Sequence, residues 1–310
     1  MKISQFKGFG VIAAAASVAL AGCATPSGGV RQSAASPPVR ERPDREIEAR
    51  ATAFAGFIRQ ARGIDASFSG PGEVSRALQT GAAYDPKEME AGMIAYAAVA
   101  ALQEPGFVAG VRKAGRGRGL AQRMLANPQA ATDLPGGDAA AARASGALYR
   151  QGEALTGGGQ GVKKAAYSVQ RQAWSKAKVP DARGRLSRVK SISNAGYHVA
   201  AGDQAGLYRA VNEGGRRRGR ASPVVARGVA LAALSVLGEA GRGRALMSEP
   251  RSGLCLRMAK LNLYQCLASA GPHYEDIYCL GQHALMETAN CVTDATRAPR
   301  AGVTKASYRR

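Results

Sequence analysis

Four cysteines, Cys255, Cys266, Cys279 and Cys291, fall within the last fifth of a 310-residue chain, and no other feature narrows the fold as much. Cys255 and Cys266 are eleven residues apart, which on an α-helix is three turns to within about 20°, so they share one face. Cys279 and Cys291 are twelve apart, about 18 Å along a second helix but offset by roughly 120° around it. Ala270-Gly271-Pro272 lies between the pairs and reads as a helix stop followed by a proline. Folding the helices back on each other brings Cys266 to Cys279 and Cys255 to Cys291. Four cysteines allow three connectivities, and this nested one predicts an antiparallel hairpin over residues 253–293. Leu256, Leu263 and Leu267 of the first helix and Ile277, Leu280, Leu285 and Met286 of the second would face the core. Such bridges need an oxidising compartment.

The other end of the chain supplies one. Lys2 and Lys7 precede the apolar run VIAAAASVAL, and Leu20-Ala21-Gly22-Cys23 closes it. A basic start, a short apolar stretch and a small-residue cut site make an export signal, too short for a membrane span. The cysteine at the cut point resembles the lipobox of bacterial lipoproteins. That resemblance covers residues 1–23 only. It implies removal of residues 1–22, acylation of Cys23 and, because Ala24 follows, a place on the periplasmic face of the outer membrane. The mature chain then carries 41 basic and 22 acidic residues.

Residues 23–45 are rich in Pro, Ser and Gly and read as a lipidated, disordered tether. From residue 46 the period is helical: Ala49, Ala53, Phe54, Phe57 and Ile58 outline a first helix, and Gly70-Pro71 opens a second. Asp85-Pro86-Lys87-Glu88 puts an N-cap acid, an N1 proline and an N3 glutamate in order, and the apolar segment after it predicts a central helix. Residues 107–127 carry a helical pattern interrupted by glycines, and 127–138 read as a loop. Residues 139–155 resume helix and end at TGGGQG, which reads as an interhelical turn. Residues 162–179, 183–193, 202–213 and 223–237 are further helices. The expected fold is all-α: an irregular multi-helix bundle over 46–295 with a disulfide-stapled C-terminal hairpin, and a basic mobile tail over 296–310.

The search for chemistry returns little. The three histidines, His198, His273 and His283, form no metal motif, no cysteine pair has zinc-site spacing, and neither a nucleophile elbow nor a phosphate loop occurs. No catalytic residue, metal or cofactor is therefore assigned. His273, Tyr274, Glu275 and Asp276 cluster at the hairpin tip, where a carboxylate is expected to serve the first turn of the second helix. Trp174 is expected to pack the core. The glycine-flanked run Arg216, Arg217, Arg218 and Arg220 is the candidate anion-binding loop. Its partner would be anionic lipid or lipopolysaccharide, with no nucleic acid expected outside the cytoplasm. The reading is a lipid-anchored envelope protein with a structural or interaction role. A wall- or lipid-acting enzyme, or a binding protein for an anionic envelope ligand, are the alternatives.

Overall fold

A computed structural model describes residues 41–115 and 119–299. The cap read at Asp85 forms. Its carboxylate accepts from the backbone N–H groups of Lys87 (2.8 Å) and Glu88 (3.1 Å) and starts helix α3, Pro86–Leu102. A helix apolar on every side has to be enclosed, and α3 is: Met93, Ile94, Tyr96, Val99 and Leu102 are fully buried. Small residues allow the neighbours in. A Cβ on Gly92 would stand 2.9 Å from the Arg50 carbonyl of α1, Arg45–Arg62. On another side α10, Pro223–Val236, approaches with Gly228 against the Ile94 carbonyl. Ser222 caps α10 by accepting from the Val225 N–H (3.1 Å).

The remaining helices are α2 (Pro71–Ala82), α4 (Pro105–Ala114), α5 (Leu120–Ala126), α6 (Gly137–Val169), α7 (Ala173–Lys176), α8 (Ala182–Ala195), α9 (Asp203–Glu213), α11 (Pro250–Ser269), α12 (His273–Cys279) and α13 (Thr288–Asp294). Short 3₁₀ segments cover Pro128–Ala131 and Ala240–Met247, and a π-helical segment, Leu280–Glu287, joins α12 to α13. Among the described residues there is no strand, only one isolated antiparallel bridge between Lys178 and Pro272. The fold is all-α, as the periodicity predicts. No single described helix is long and apolar enough to cross a membrane.

Four boundaries differ from the sequence expectation. The turn expected at TGGGQG does not exist, because α6 runs unbroken for 33 residues through Gly157, Gly158, Gly159 and Gly161. Glycine weakens a helix locally, but here it permits contact. A Cβ on Gly159 would stand 2.7 Å from Met286 Cγ and 3.0 Å from Leu285 Cβ, and one on Gly158 would stand 2.9 Å from the Arg62 backbone. The helix expected to continue to residue 179 ends at Val169, and Trp174 sits half-buried in the single turn of α7.

The tether, expected to reach residue 45, ends sooner. Pro43 is buried, the Glu41 carbonyl accepts from Gln103 Nε2 (3.1 Å), and the Asp44 N–H donates to Ser235 Oγ (3.0 Å). At the other end Thr296 is buried and donates to the Thr293 carbonyl (2.7 Å), so the ordered domain passes residue 295. Residues 300–310 lie outside the described set, as do Cys23 and the rest of the expected tether up to residue 40. On α1 the buried stripe is Ile47, Ala51, Phe54 and Ile58, and Ala49 lies on the exposed side.

The hairpin is present with the nested pairing. Cys255–Cys291 and Cys266–Cys279 are disulfides, each with a Cα–Cα separation of 5.7 Å. Leu256, Leu263, Leu267, Ile277, Leu280 and Leu285 are fully buried, while Met286 is half-buried. The 120° offset expected between Cys279 and Cys291 is removed by the π segment. Its i→i+5 turns take up an extra residue, so twelve residues complete about the rotation that eleven make in an α-helix. Both cysteine pairs then face across the hairpin in phase.

Candidate functional site

Helix α8 reads Arg185, Val189 and Ser193 at four-residue intervals, and all three are buried. A guanidinium on the stripe of a core-facing helix must find partners. Arg185, 6% exposed, pairs through Nη1 with Asp276 of α12, itself 2% exposed. Through Nη2 it donates to the carbonyls of Leu267 and Ala270 (3.3 Å to the latter). These are end carbonyls of α11, so the arginine caps that helix at the point where a cation suits its dipole. Arg185 Nε is the one buried side-chain polar atom without a hydrogen-bond partner among the described residues.

Burial raises the Asp276 carboxyl to about 6 against the opposing pull of Arg185. Burial, helped by the nearby Arg185 charge, lowers His273 below its ordinary value. The hairpin tip is held from outside by the segment after α7: Val179 N–H donates to the Gly271 carbonyl (2.9 Å), and His273 N–H donates to Ala177 (3.3 Å). Glu275 accepts from the Gly271 N–H (2.8 Å). Glu275 thus ties down the turn ahead of α12, whose first turn has no side-chain cap, contrary to the expected capping carboxylate, and Asp276 turns inward. Trp174 lies 6.4 Å from the His273 ring, centroid to centroid.

Between α2, α8 and α12 these groups line a cleft of about 360 Å³. Pro71, Val74, Leu78 and Val179 make its apolar wall, and Arg185, His273 and Asp276 supply its polar end. That size falls in the range of small-molecule sites, which commonly combine an apolar lining with a few convergent polar groups.

A second buried cation lies on α11. Lys260, 4% exposed, occupies the stripe of Leu256, Leu263 and Leu267. Its ammonium donates to the Ala82 carbonyl (2.9 Å) and to Ser193 Oγ (3.2 Å) and sits 3.4 Å from the Tyr84 ring centroid. Burial holds it well below the usual lysine range. Neither residue belongs to a motif that the sequence makes visible. The available signal was their phase: each stands where the helical stripe calls for an apolar side chain.

The arginine run is a loop, but only half of it projects freely. Arg216 and Arg143 both bind Glu104, and although burial of Glu104 opposes them they hold its carboxyl below the ordinary range. Arg217 stacks 3.5 Å from the Tyr149 ring centroid, and its N–H donates to the Ala142 carbonyl (2.8 Å). Arg218 and Arg220 are exposed. The structure therefore brings Cys255, Cys266, Cys279 and Cys291 together as expected and splits the arginine cluster. Nothing in the sequence around Glu104 marked it as the partner of two arginines. No protein-family model matches this chain, and neither a curated protein nor a solved structure is significantly similar to it.

Proposed function

We propose that this chain is an exported bacterial lipoprotein, anchored through an acyl group on Cys23 to the periplasmic face of the outer membrane, and that it acts there through its surfaces as a structural or interaction protein. The observation that carries the proposal is the pair of nested disulfides. Structural disulfides form and persist outside the reducing cytoplasm, and the pattern Leu20-Ala21-Gly22-Cys23 after a basic, apolar start supplies the route there. The buried ionisable groups also support a surface role. Arg185 and Asp276 close a helix end and Lys260 ties three helices together, so each is engaged in holding the fold.

Labelling with radioactive fatty acid in the native host tests the anchor. The wild type is expected to take up label and to fractionate with the outer membrane, while Cys23→Ala accumulates as an unlabelled precursor. Processing of the variant to the wild-type size would overturn the proposal.

The cleft beside Arg185 favours a second reading, a binding protein for a small amphipathic ligand. Native mass spectrometry on envelope-purified protein tests it. A small molecule retained by the wild type and absent from Val74→Trp, which fills the cleft, is the expected result. Equal spectra of bare protein would dispose of it.

A further inference from the structure

The outer face of α11 is apolar where a solvent-facing helix would be polar. Leu254, Met258 and Leu261 are 55%, 46% and 44% exposed. Their spacing of four and three residues sets them in one row along the helix, opposite the buried row of Leu256, Leu263 and Leu267. Basic side chains border the row. Arg251 and Arg257 are exposed on the same helix, and Lys190 of α8 lies 5.5 Å from the ring of Tyr264 at its flank. From Pro250 to Ser269 the helix contains no carboxylate. The acids nearest to it are engaged: Glu90, against Gly253, accepts from Ser248 Oγ (3.0 Å) and the Glu249 N–H, Glu249 caps the helix start, Glu287 accepts from Asn262 (2.8 Å), and Asp294 pairs with Arg297 (2.7 Å).

We infer that this face of α11 is a membrane-contact surface, which seats the folded domain on an anionic lipid leaflet with Leu254, Met258 and Leu261 entering the interface and Arg251 and Arg257 meeting headgroup phosphates. Apolar side chains rimmed by arginine and lysine on one helix are the composition that binds anionic interfaces. A second copy of the chain fits poorly, since a two-fold contact through this face sets arginines against arginines with no acid to answer them.

The position of the anchor agrees, and to that extent the inference rests on the proposed acylation of Cys23. Glu46, at the start of α1, pairs with Arg244 (3.4 Å), and Arg244 precedes the first residue of α11 by only six positions. Eighteen residues separate Cys23 from Glu41, enough for a chain to bridge up to about 60 Å. The lipid and the helix face can therefore meet the same leaflet. Each then raises the effective concentration of the other.

Vesicle co-sedimentation of the mature chain from Cys23 to Arg310, carrying Cys23→Ser so that no acyl group contributes, tests the face independently of the anchor. The probes are vesicles of equal parts phosphatidylglycerol and phosphatidylcholine, against phosphatidylcholine alone. The wild-type face is expected to bind the anionic vesicles only, and less as salt rises. The double variant L254E/M258E is expected to need at least about tenfold more lipid for half-binding, and R257Q about fivefold more. These side chains are exposed, so both variants should unfold at the wild-type temperature; R257Q stands alone if the double variant does not fold.

Absence of binding, equal binding to neutral vesicles, or unchanged binding by both variants would overturn the inference. So would self-association of the wild type that the double variant abolishes. Loss of fatty-acid labelling would instead remove the anchor and leave this result standing.

Discussion

Replacing the glycines of the run Gly157-Gly158-Gly159-Gln160-Gly161 by alanine, one at a time, sets two effects of known sign against each other. In a helix interior, Gly→Ala favours folding by about 1 kcal/mol, through the backbone freedom that glycine loses on folding and through helix propensity. At Gly157 and Gly161 nothing lies within 4 Å of the added methyl, so the full gain is expected, about 0.5–1 kcal/mol. At Gly159 the methyl would stand 2.7 Å from Met286 Cγ, 3.0 Å from Leu285 Cβ and 3.0 Å from the Met286 backbone nitrogen. The methionine end can move, but the Leu285 and backbone atoms belong to the packed π segment. Overpacking of that kind costs about 1–3 kcal/mol, so G159A should be destabilised by up to about 2 kcal/mol after the propensity gain. Gly158 meets the Arg62 backbone at 2.9 Å and should behave like Gly159.

The assay is thermal or denaturant unfolding with the disulfides intact. For a domain of this size 1 kcal/mol moves the melting temperature by about 2–4 °C. Opposite signs within five residues are therefore resolvable, with G157A and G161A above wild type and G158A and G159A below. Four shifts in one direction would refute the continuous helix. They would favour instead the interhelical turn that the local composition suggests, in which no such alternation has a cause.

Other perturbations read the buried charges and the staples. Because the folded state holds Lys260 below the usual lysine range, the unfolded chain binds more protons below about pH 10, and stability should rise with pH toward that value; K260M should flatten the rise in pH-dependent denaturation. Asp276 runs the other way. Its folded value of about 6 lies above the ordinary 3.8, so its contribution is fully present below 3.8 and is lost as pH rises through 6, and D276N should remove that slope between pH 4 and 6 in the same measurement. C255S with C291S opens a loop of sequence separation 36, worth about 4 kcal/mol on the loop-entropy account, and C266S with C279S one of 13, worth about 3; equal melting temperatures for both double variants and the wild type would deny the staples a role.

The helix starts that were legible in the sequence share a local cause. Asp85 before Pro86, and Ser222 before Pro223, satisfy orphan backbone donors within three residues, so no knowledge of distant residues is needed. The nested disulfides were legible because spacing on two helices is also local arithmetic. What was hidden depends on partners far along the chain. Gly158 and Gly159 look like breakers until Arg62 and Leu285 are placed against them. Arg185 and Lys260 look like surface charges until the carbonyls of Leu267, Ala270 and Ala82 come to meet them. The arginine loop was recognised, but its division was not, because Glu104 and Tyr149 lie far from it in sequence.

The π segment joins these strands of reasoning and yields a last test. Gly159 and Gly281 let α6 and Leu280–Glu287 approach to backbone contact; a Cβ on Gly281 would stand 2.5 Å from the Lys163 nitrogen. The same segment takes up the residue that brings Cys279 and Cys291 into phase. Deleting Gln282 shortens their separation from twelve residues to eleven. Were the twelve residues regular α-helix bent between α12 and α13 so as to meet both bridges, the deletion would swing Cys291 by about 100° from its present place and away from Cys255. In a π segment the deletion is absorbed, because the wide turn reverts to an ordinary one. Both native bridges are therefore expected in the deletion variant by peptide mapping without reduction. The cost should be modest, since the hydrogen bond lost is the one from Lys163 Nζ to Gln282 Oε1 (2.8 Å), about 1 kcal/mol. Free or exchanged cysteines in that variant would mean that the extra residue does not set the phase. The twelve-residue spacing would then be met by bending between α12 and α13, and the close approach of α6 would have some other purpose.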